Sequence, residues 1–224
     1  WRNVFLGTLA HDLRGPLSVN LLAAEVLSPI TPDGPARPLV DRMTRSATRI
    51  KALLDSLLDY SKASLGRGIR VSPVEADLDA ELRDEIELLQ ALFPEHEVAY
   101  ESGGRTTAIV DASRIREAVA NLVINAAKHG APNGRIRVVL SADRSGLTLA
   151  VENFGPTVPD ETLSGLFMPF GHMREEGNSP QTDSLGLGLF IVKQIATAHG
   201  GSVSVSSGEG RTTFVLKLPT EAEA

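Results

Sequence analysis

The sequence predicts an α+β protein in two parts. The first is a helical hairpin that completes a four-helix bundle with a second copy of itself, and the second is a two-layer α/β sandwich. Three observations lead there. Apolar residues recur with heptad spacing between 40 and 61. A Ser-Pro-Ile-Thr-Pro-Asp-Gly-Pro run at 28–35 separates two helical stretches. Beyond residue 70, short β-branched runs alternate with segments of helical period.

The first helix is expected from about Val4 to Leu27, with Leu6, Leu9, Leu13, Leu17 and Leu21 as its apolar stripe. A second is expected from about Pro38 to Ala63, where Val40, Met43, Ala47, Ile50, Leu54, Leu57 and Ser61 alternate spacings of three and four. Two such helices leave apolar surface uncovered. Pairing of two hairpins would cover it, which implies a homodimer through residues 1–63; docking onto the rest of the chain is the alternative. Residues 64–70 read as a linker, 71–219 as the second domain and 220–224 as a tail. In the second domain strands are expected near 69–74, 97–102, 107–110, 135–142, 146–152, 202–206 and 211–218. Helices are expected near 79–93, 113–130 and 188–199. The segment 171–185, rich in Gly, Ser, Pro and charge and without periodicity, reads as a lid or a disordered loop.

Composition narrows the function. A net charge of −6 argues against a nucleic-acid partner. The charge is uneven: residues 1–63 carry eight Lys and Arg against six Asp and Glu, residues 64–224 fourteen against twenty-two. Two units with different partners are implied. The absence of cysteine rules out disulfide and zinc-thiolate frameworks. No apolar run reaches the roughly 18 to 20 residues that span a bilayer, and Trp1–Ala10 lacks the layout of a signal peptide. The chain is expected to be a cytoplasmic fragment, reaching a membrane only through an upstream segment, if at all.

Four groups of residues suggest chemistry. His11 lies two residues from both Leu9 and Leu13, about 160° from their stripe at roughly 100° per residue, and is expected to face solvent. Pro16 removes the hydrogen bond to the Asp12 carbonyl, at about 3 kcal/mol within a helix, so the ladder breaks beside that histidine. Mostly neutral above about pH 7, its ring has a lone pair free to attack. Simple solvation is the plainer reading. Asn121 and Asn125 share a helical face that Lys128 and His129 extend. Amide oxygens suit Mg²⁺ and Lys128 suits phosphate, although the Asn pair could equally bond a neighbouring loop. Gly186-Leu187-Gly188-Leu189 opens a helix whose free N–H groups could meet an anion, or it simply ends a loop. Asn153, at a strand end before Gly155-Pro156, could meet a base edge or merely begin a turn.

Taken in order, these elements resemble the sensor histidine kinases of bacterial two-component systems. His11 to Leu17 resembles the phosphoacceptor box of that family and Asn121 to His129 its N box. Asn153 to Pro159 resembles the first glycine box, Leu166 to Phe170 the F box and Gly186 to Leu189 the second glycine box. Gly210 to Phe214, with Leu218-Pro219, resembles the closing strand. The resemblance covers nearly the whole chain. It implies ATP as substrate and Mg²⁺ as cofactor. His11 would accept the phosphoryl group, with Asp12 orienting the ring and taking its proton. Asn125 would ligate the metal, supported by Asn121, and Lys128 and His129 would contact phosphates. Asn153, Gly155, Leu187, Leu189 and Thr213 would help bind the nucleotide, with Gly186 and Gly188 shaping a lid. An aspartate on a response-regulator receiver domain would receive the phosphoryl group.

Three positions depart from the pattern. Asn153 stands where the family usually has Asp, Thr157 where it has Gly, and Gly15 where it has Thr or Asn. Two other readings stay open, the first of them favoured by Asn153. One is a non-catalytic phosphotransfer relay with a degenerate nucleotide domain. The other is a different ATPase or serine kinase of the same superfamily.

Overall fold

The computed structural model describes residues 13–24, 26–27, 36–66, 68–143, 146–170 and 186–219. His11, Asp12, the run 28–35 and the expected lid at 171–185 lie outside them. The chain divides into two compact units, one extending to Gly68 and the other starting at Ile69.

The first unit is helical. Residues 13–24 and 26–27 belong to α1 and Arg37–Ser64 form α2. Leu17 of α1 packs with Ala47, Leu54 and Leu58 of α2, flanked by Leu21 and Leu57. Arg14 pairs with Asp55, which also accepts from Lys51 at 3.1 Å. The heptad divides in two. Val40, Ala47, Leu54 and Ser61 are buried, whereas Met43 and Ile50 are 57% and 46% exposed. The two sets sit on different sides of the apolar stripe, and a single partner helix covers only one of them. Leu39 on α2 and Val19, Leu22 and Val26 on α1 are exposed as well.

The second unit is a two-layer sandwich of mixed sheet and helices. Its elements are β1 (Val74–Asp77), α3 (Leu78–Leu92), β2 (Glu97–Gly103), β3 (Thr107–Val110), α4 (Ala112–His129), β4 (Arg135–Asp143), β5 (Gly146–Phe154), α5 (Asp160–Leu163), α6 (Gly188–Ala198), β6 (Ser202–Gly208) and β7 (Arg211–Leu218). The main sheet runs β2-β4-β5-β7-β6, and β1 pairs with β3 separately. All pairs are antiparallel except β2 with β4. That parallel pair requires a crossover, which contains β3 and α4.

Helix α4 carries a buried stripe of Ile115, Ala118, Val119, Leu122, Val123 and Ala126. It packs with Leu82, Ile136, Val138, Leu149, Val151, Ile191, Ile195, Phe214 and Leu216 in one cluster. On the opposite face of the sheet Arg137 bridges Glu101 at 2.7 Å and Glu152 at 3.4 Å.

The strand expected at 69–74 forms at Val74–Asp77 instead. Pro73 has no N–H for a ladder, and Ser72 gives its N–H to the Asp111 carboxylate at 2.9 Å. Buried Ile69 accounts for the apolar signal of that stretch. The four-residue α5 was not anticipated, being too short to show a period.

Candidate functional site

The site is assembled around the two ends of α4. At its start Asp111 is the N-cap, accepting from the Arg114 N–H at 3.2 Å. Burial pushes the Asp111 carboxyl up, but hydrogen bonds from the Ser113 hydroxyl and the Ser72 and Arg114 N–H groups outweigh it and hold the group below its ordinary value. The Asp111 N–H donates to His199 Nε2 at 3.0 Å, and His199 Nδ1 lies 2.8 Å from the Ile195 carbonyl. The carbonyl can only accept, so Nδ1 carries the proton and Nε2 the lone pair. His199 follows α6 directly. One imidazole therefore ties the end of α6 to the start of α4.

At its other end α4 meets β5. The Gly130 N–H closes the helix on the Ala126 carbonyl at 2.8 Å, and the Ala131 N–H donates to Phe154 O at 2.6 Å. A Cβ on Gly155 would lie 3.0 Å from Gly130 Cα and from Ala131 N. The two backbones touch, so Gly155 acts by permitting this approach. The contact brings Asn153, at the end of β5, beside the last turns of α4.

A pocket opens there, lined by Asn125 and His129 of α4, Asn153 of β5, Thr212 and Phe214 of β7, and Val158, Thr162 and Leu166. The empty space there, solvent-open part included, is about 450 Å³. Asn153 is 6% exposed, and among the described residues its carboxamide has no hydrogen-bond partner. A buried polar group left unpaired costs about 1–3 kcal/mol, a deficit that a ligand in the pocket would relieve. Thr212 is held through its hydroxyl, 2.9 Å from Ser207 Oγ, which in turn accepts from the Val158 N–H at 2.9 Å.

The remaining sequence candidates divide. Asn121 donates its amide to the Glu117 carbonyl at 3.0 Å and turns its Oδ1 towards Gly188, where a Cβ would stand 2.7 Å from it. The start of α6 is thereby seated on the asparagine face of α4. The N-cap residue Leu187 supplies no side-chain cap, and a helix start of this kind presents backbone N–H groups in the manner that suits an anion. Gly186 has φ +65°, a conformation that favours glycine, and its carbonyl accepts from the Phe170 N–H at 3.2 Å. Leu187 and Leu189 are buried, so they could offer a ligand only backbone. Lys128 and His129 are exposed in the last turn of α4, where a basic residue also complements the helix dipole. Lys128 does not line the pocket.

Thr213 is not brought to the site. Along β7 the alternation turns Thr212 and Phe214 towards the helices, and Thr213 pairs with Glu152 and Ser206 on the opposite face. The pocket threonine is Thr212, one residue earlier, because a single step along a strand reverses the face. The sequence reading also missed Thr162 and the pairing of Thr212 with Ser207. Only the position of α5 and the strand register reveal them.

Among the described residues, no cluster of three His, Asp or Glu side chains could hold a metal by itself. Half-buried Asn125, which lines the pocket, carries an amide oxygen. That suits a hard cation arriving with phosphate and water ligands, as Mg²⁺ does.

Comparison with known proteins adds to this geometry. The family model described as "Histidine kinase-, DNA gyrase B-, and HSP90-like ATPase" matches residues 110–222, and the "His Kinase A (phospho-acceptor) domain" model matches residues 1–66. The sensor protein CzcS of Cupriavidus metallidurans is 32% identical over 96% of this chain and 45% of its own length. A bacteriophytochrome of Pseudomonas aeruginosa is 31% identical over 97% of this chain and 30% of its own. The chain thus spans less than half the length of these two curated relatives. Among solved structures, full-length ShkA in complex with AMPPNP is 28% identical, covering 97% of this chain and 46% of that one, with a TM-score of 0.70.

Proposed function

We propose a function from one premise: the chain belongs to the histidine kinases, within the histidine kinase-, DNA gyrase B- and HSP90-like ATPase family. It binds ATP in its second unit and transfers the γ-phosphoryl group to His11. The observation that carries this reading is the seating of Gly188 on Asn121. It sets the start of α6 beside a helix face whose other asparagine, Asn125, lines the pocket that holds Asn153. A phosphate-binding end and a base-binding end thus share the two helices α4 and α6.

In this reading the base sits between Asn153 and the apolar side chains Leu166, Val158 and Phe214. The phosphates meet the first turn of α6, with Lys128 and His129 contributing charge. Asn125 holds Mg²⁺, which when bound supplies charge neutralisation to the phosphates. His11 Nε2 attacks the γ-phosphorus, the new P–N bond replacing the P–O bond to ADP, while Asp12 orients the ring and takes its proton. Positioning and charge neutralisation are what such a transfer needs. The phospho-histidine then passes its phosphoryl group to an aspartate of a receiver domain, in the cytoplasm. The exposed Val19, Leu22 and Val26 of α1 and Leu39, Met43 and Ile50 of α2 support a homodimer through the first unit.

The test uses γ-labelled ATP. The unmodified chain should acquire acid-labile, base-stable label. His11→Ala should acquire none and still bind ATP, whereas Asn125→Ala should lose Mg²⁺-dependent binding. Acid-labile label retained by His11→Ala would overturn the assignment.

A further inference from the structure

The pocket holding Asn153 is lined by Val158, Leu166 and Phe214 and by five polar residues, Asn125, His129, Asn153, Thr162 and Thr212, and two of the polar groups, Asn153 and Thr212, have no fixed hydrogen-bond polarity. Asn153 carries an acceptor and a donor on one flat amide, and turning that amide by 180° exchanges them. It is buried, and no partner among the described residues holds it one way. Its Nδ2 lies against Gly130, where any Cβ would crowd it at 3.1 Å. The second group is Thr212. Its hydroxyl is paired with Ser207 Oγ, and either oxygen can be the donor. When Ser207 donates, the Thr212 proton is free to point into the pocket. When Thr212 donates, it presents a lone pair. Neither a carboxylate nor a Lys or Arg side chain is among the lining residues, so no fixed charge of those kinds selects between the two states.

We propose that this pocket takes both 6-amino and 6-oxo purines, so that GTP as well as ATP serves as phosphoryl donor. The proposal rests on the nucleotide-binding reading above and deepens it. A 6-amino purine presents a donor at C6 and an acceptor at N1, which meet Asn153 Oδ1 and Nδ2. A 6-oxo purine presents an acceptor at C6 and a donor at N1, and the turned amide meets those equally well. A carboxylate at this position could only accept. In the same pose it would face the 6-oxo oxygen with like charge density, leaving that oxygen unpaired.

The experiment titrates the non-hydrolysable analogues of ATP and GTP, each with Mg²⁺, into the unmodified chain and into Asn153→Asp, by calorimetry. The unmodified chain should bind the two within about tenfold of each other, a difference of no more than about one unpaired hydrogen bond. In Asn153→Asp the GTP analogue should weaken by at least a further tenfold relative to the ATP analogue. An unmodified chain that binds the ATP analogue and discriminates against the GTP analogue by a hundredfold or more overturns the proposal while leaving the ATP reading intact. So does an Asn153→Asp variant, its fold confirmed by circular dichroism, with an unchanged ratio. Binding of neither analogue overturns the nucleotide reading itself, and this proposal with it. The unmodified chain decides the first point even if the variant does not fold.

Discussion

Leu122 on α4 and Ile50 on α2 are both large aliphatic residues within long helices, yet Leu122 is wholly buried and Ile50 is 46% exposed. The contrast extends to the units that contain them. Among the described residues of the second unit, helices α3, α4 and α6 and a five-stranded sheet enclose a cluster of 29 buried residues. Among those of the first, the corresponding cluster has four, and a row of Val, Leu, Met and Ile side chains faces outwards. Apolar burial contributes about 25 cal/mol per Å², so the second unit supplies its own driving force. The first has surface left to bury. A nucleotide site needs a rigid frame, whereas a helical hairpin that leaves part of its seam open is suited to association.

The comparison can be broken most severely at Leu122. Leu122→Ala should cost about 2–5 kcal/mol, read by denaturant unfolding, and the loss should not depend on protein concentration. A loss below about 1 kcal/mol would mean that the cluster is loosely packed. The next test is Ile50→Glu, alone and with Met43→Glu. Sedimentation should show a dimer becoming a monomer, with ATP-analogue affinity unchanged. A dimer that survives both charges would place its interface elsewhere.

The smallest effect lies within the first unit. Burial pushes the Asp55 carboxyl up, but the hydrogen bonds and charges of Arg14 and Lys51 prevail and hold it below its ordinary value. A carboxyl with a depressed folded value stabilises the fold at pH above its unfolded value, near 3.9, and loses that contribution as pH falls through the lower folded value. Both partners are partly exposed, so the contribution should stay under about 1 kcal/mol. Thermal melts of the unmodified chain and Asp55→Asn should therefore differ slightly at pH 7 and converge as the pH falls through the lowered folded value. An equal gap at both pH values would show that the ion pair contributes nothing specific.

Much of this was legible because it follows from period. The α4 stripe, the β4 and β5 alternation and the α2 heptad are all readable as spacing. Other features depend on what a residue meets, which spacing does not encode. Of the adjacent threonines the resemblance implies Thr213, and only the strand register shows that Thr212 is the one facing the pocket. The heptad implied that one hairpin leaves apolar surface uncovered but could not say that the uncovered positions are Met43 and Ile50 and not Val40 and Ala47. The bond from Asp111 to His199 spans 88 residues, and no local pattern announces it. Asn153 was visible as a departure, whereas its burial without a partner is a property of the fold alone.

The contact between Gly188 and Asn121 also bears on how this site can change over generations. A Cβ at 188 would stand 2.7 Å from Asn121 Oδ1, so alanine there would require the Asn121 side chain to turn, and the turn would disturb the amide that bonds Glu117. The dependence runs one way: two residues 67 positions apart in the chain are linked through the space that glycine leaves at 188, so a larger residue at 188 is tolerated best where 121 can move aside.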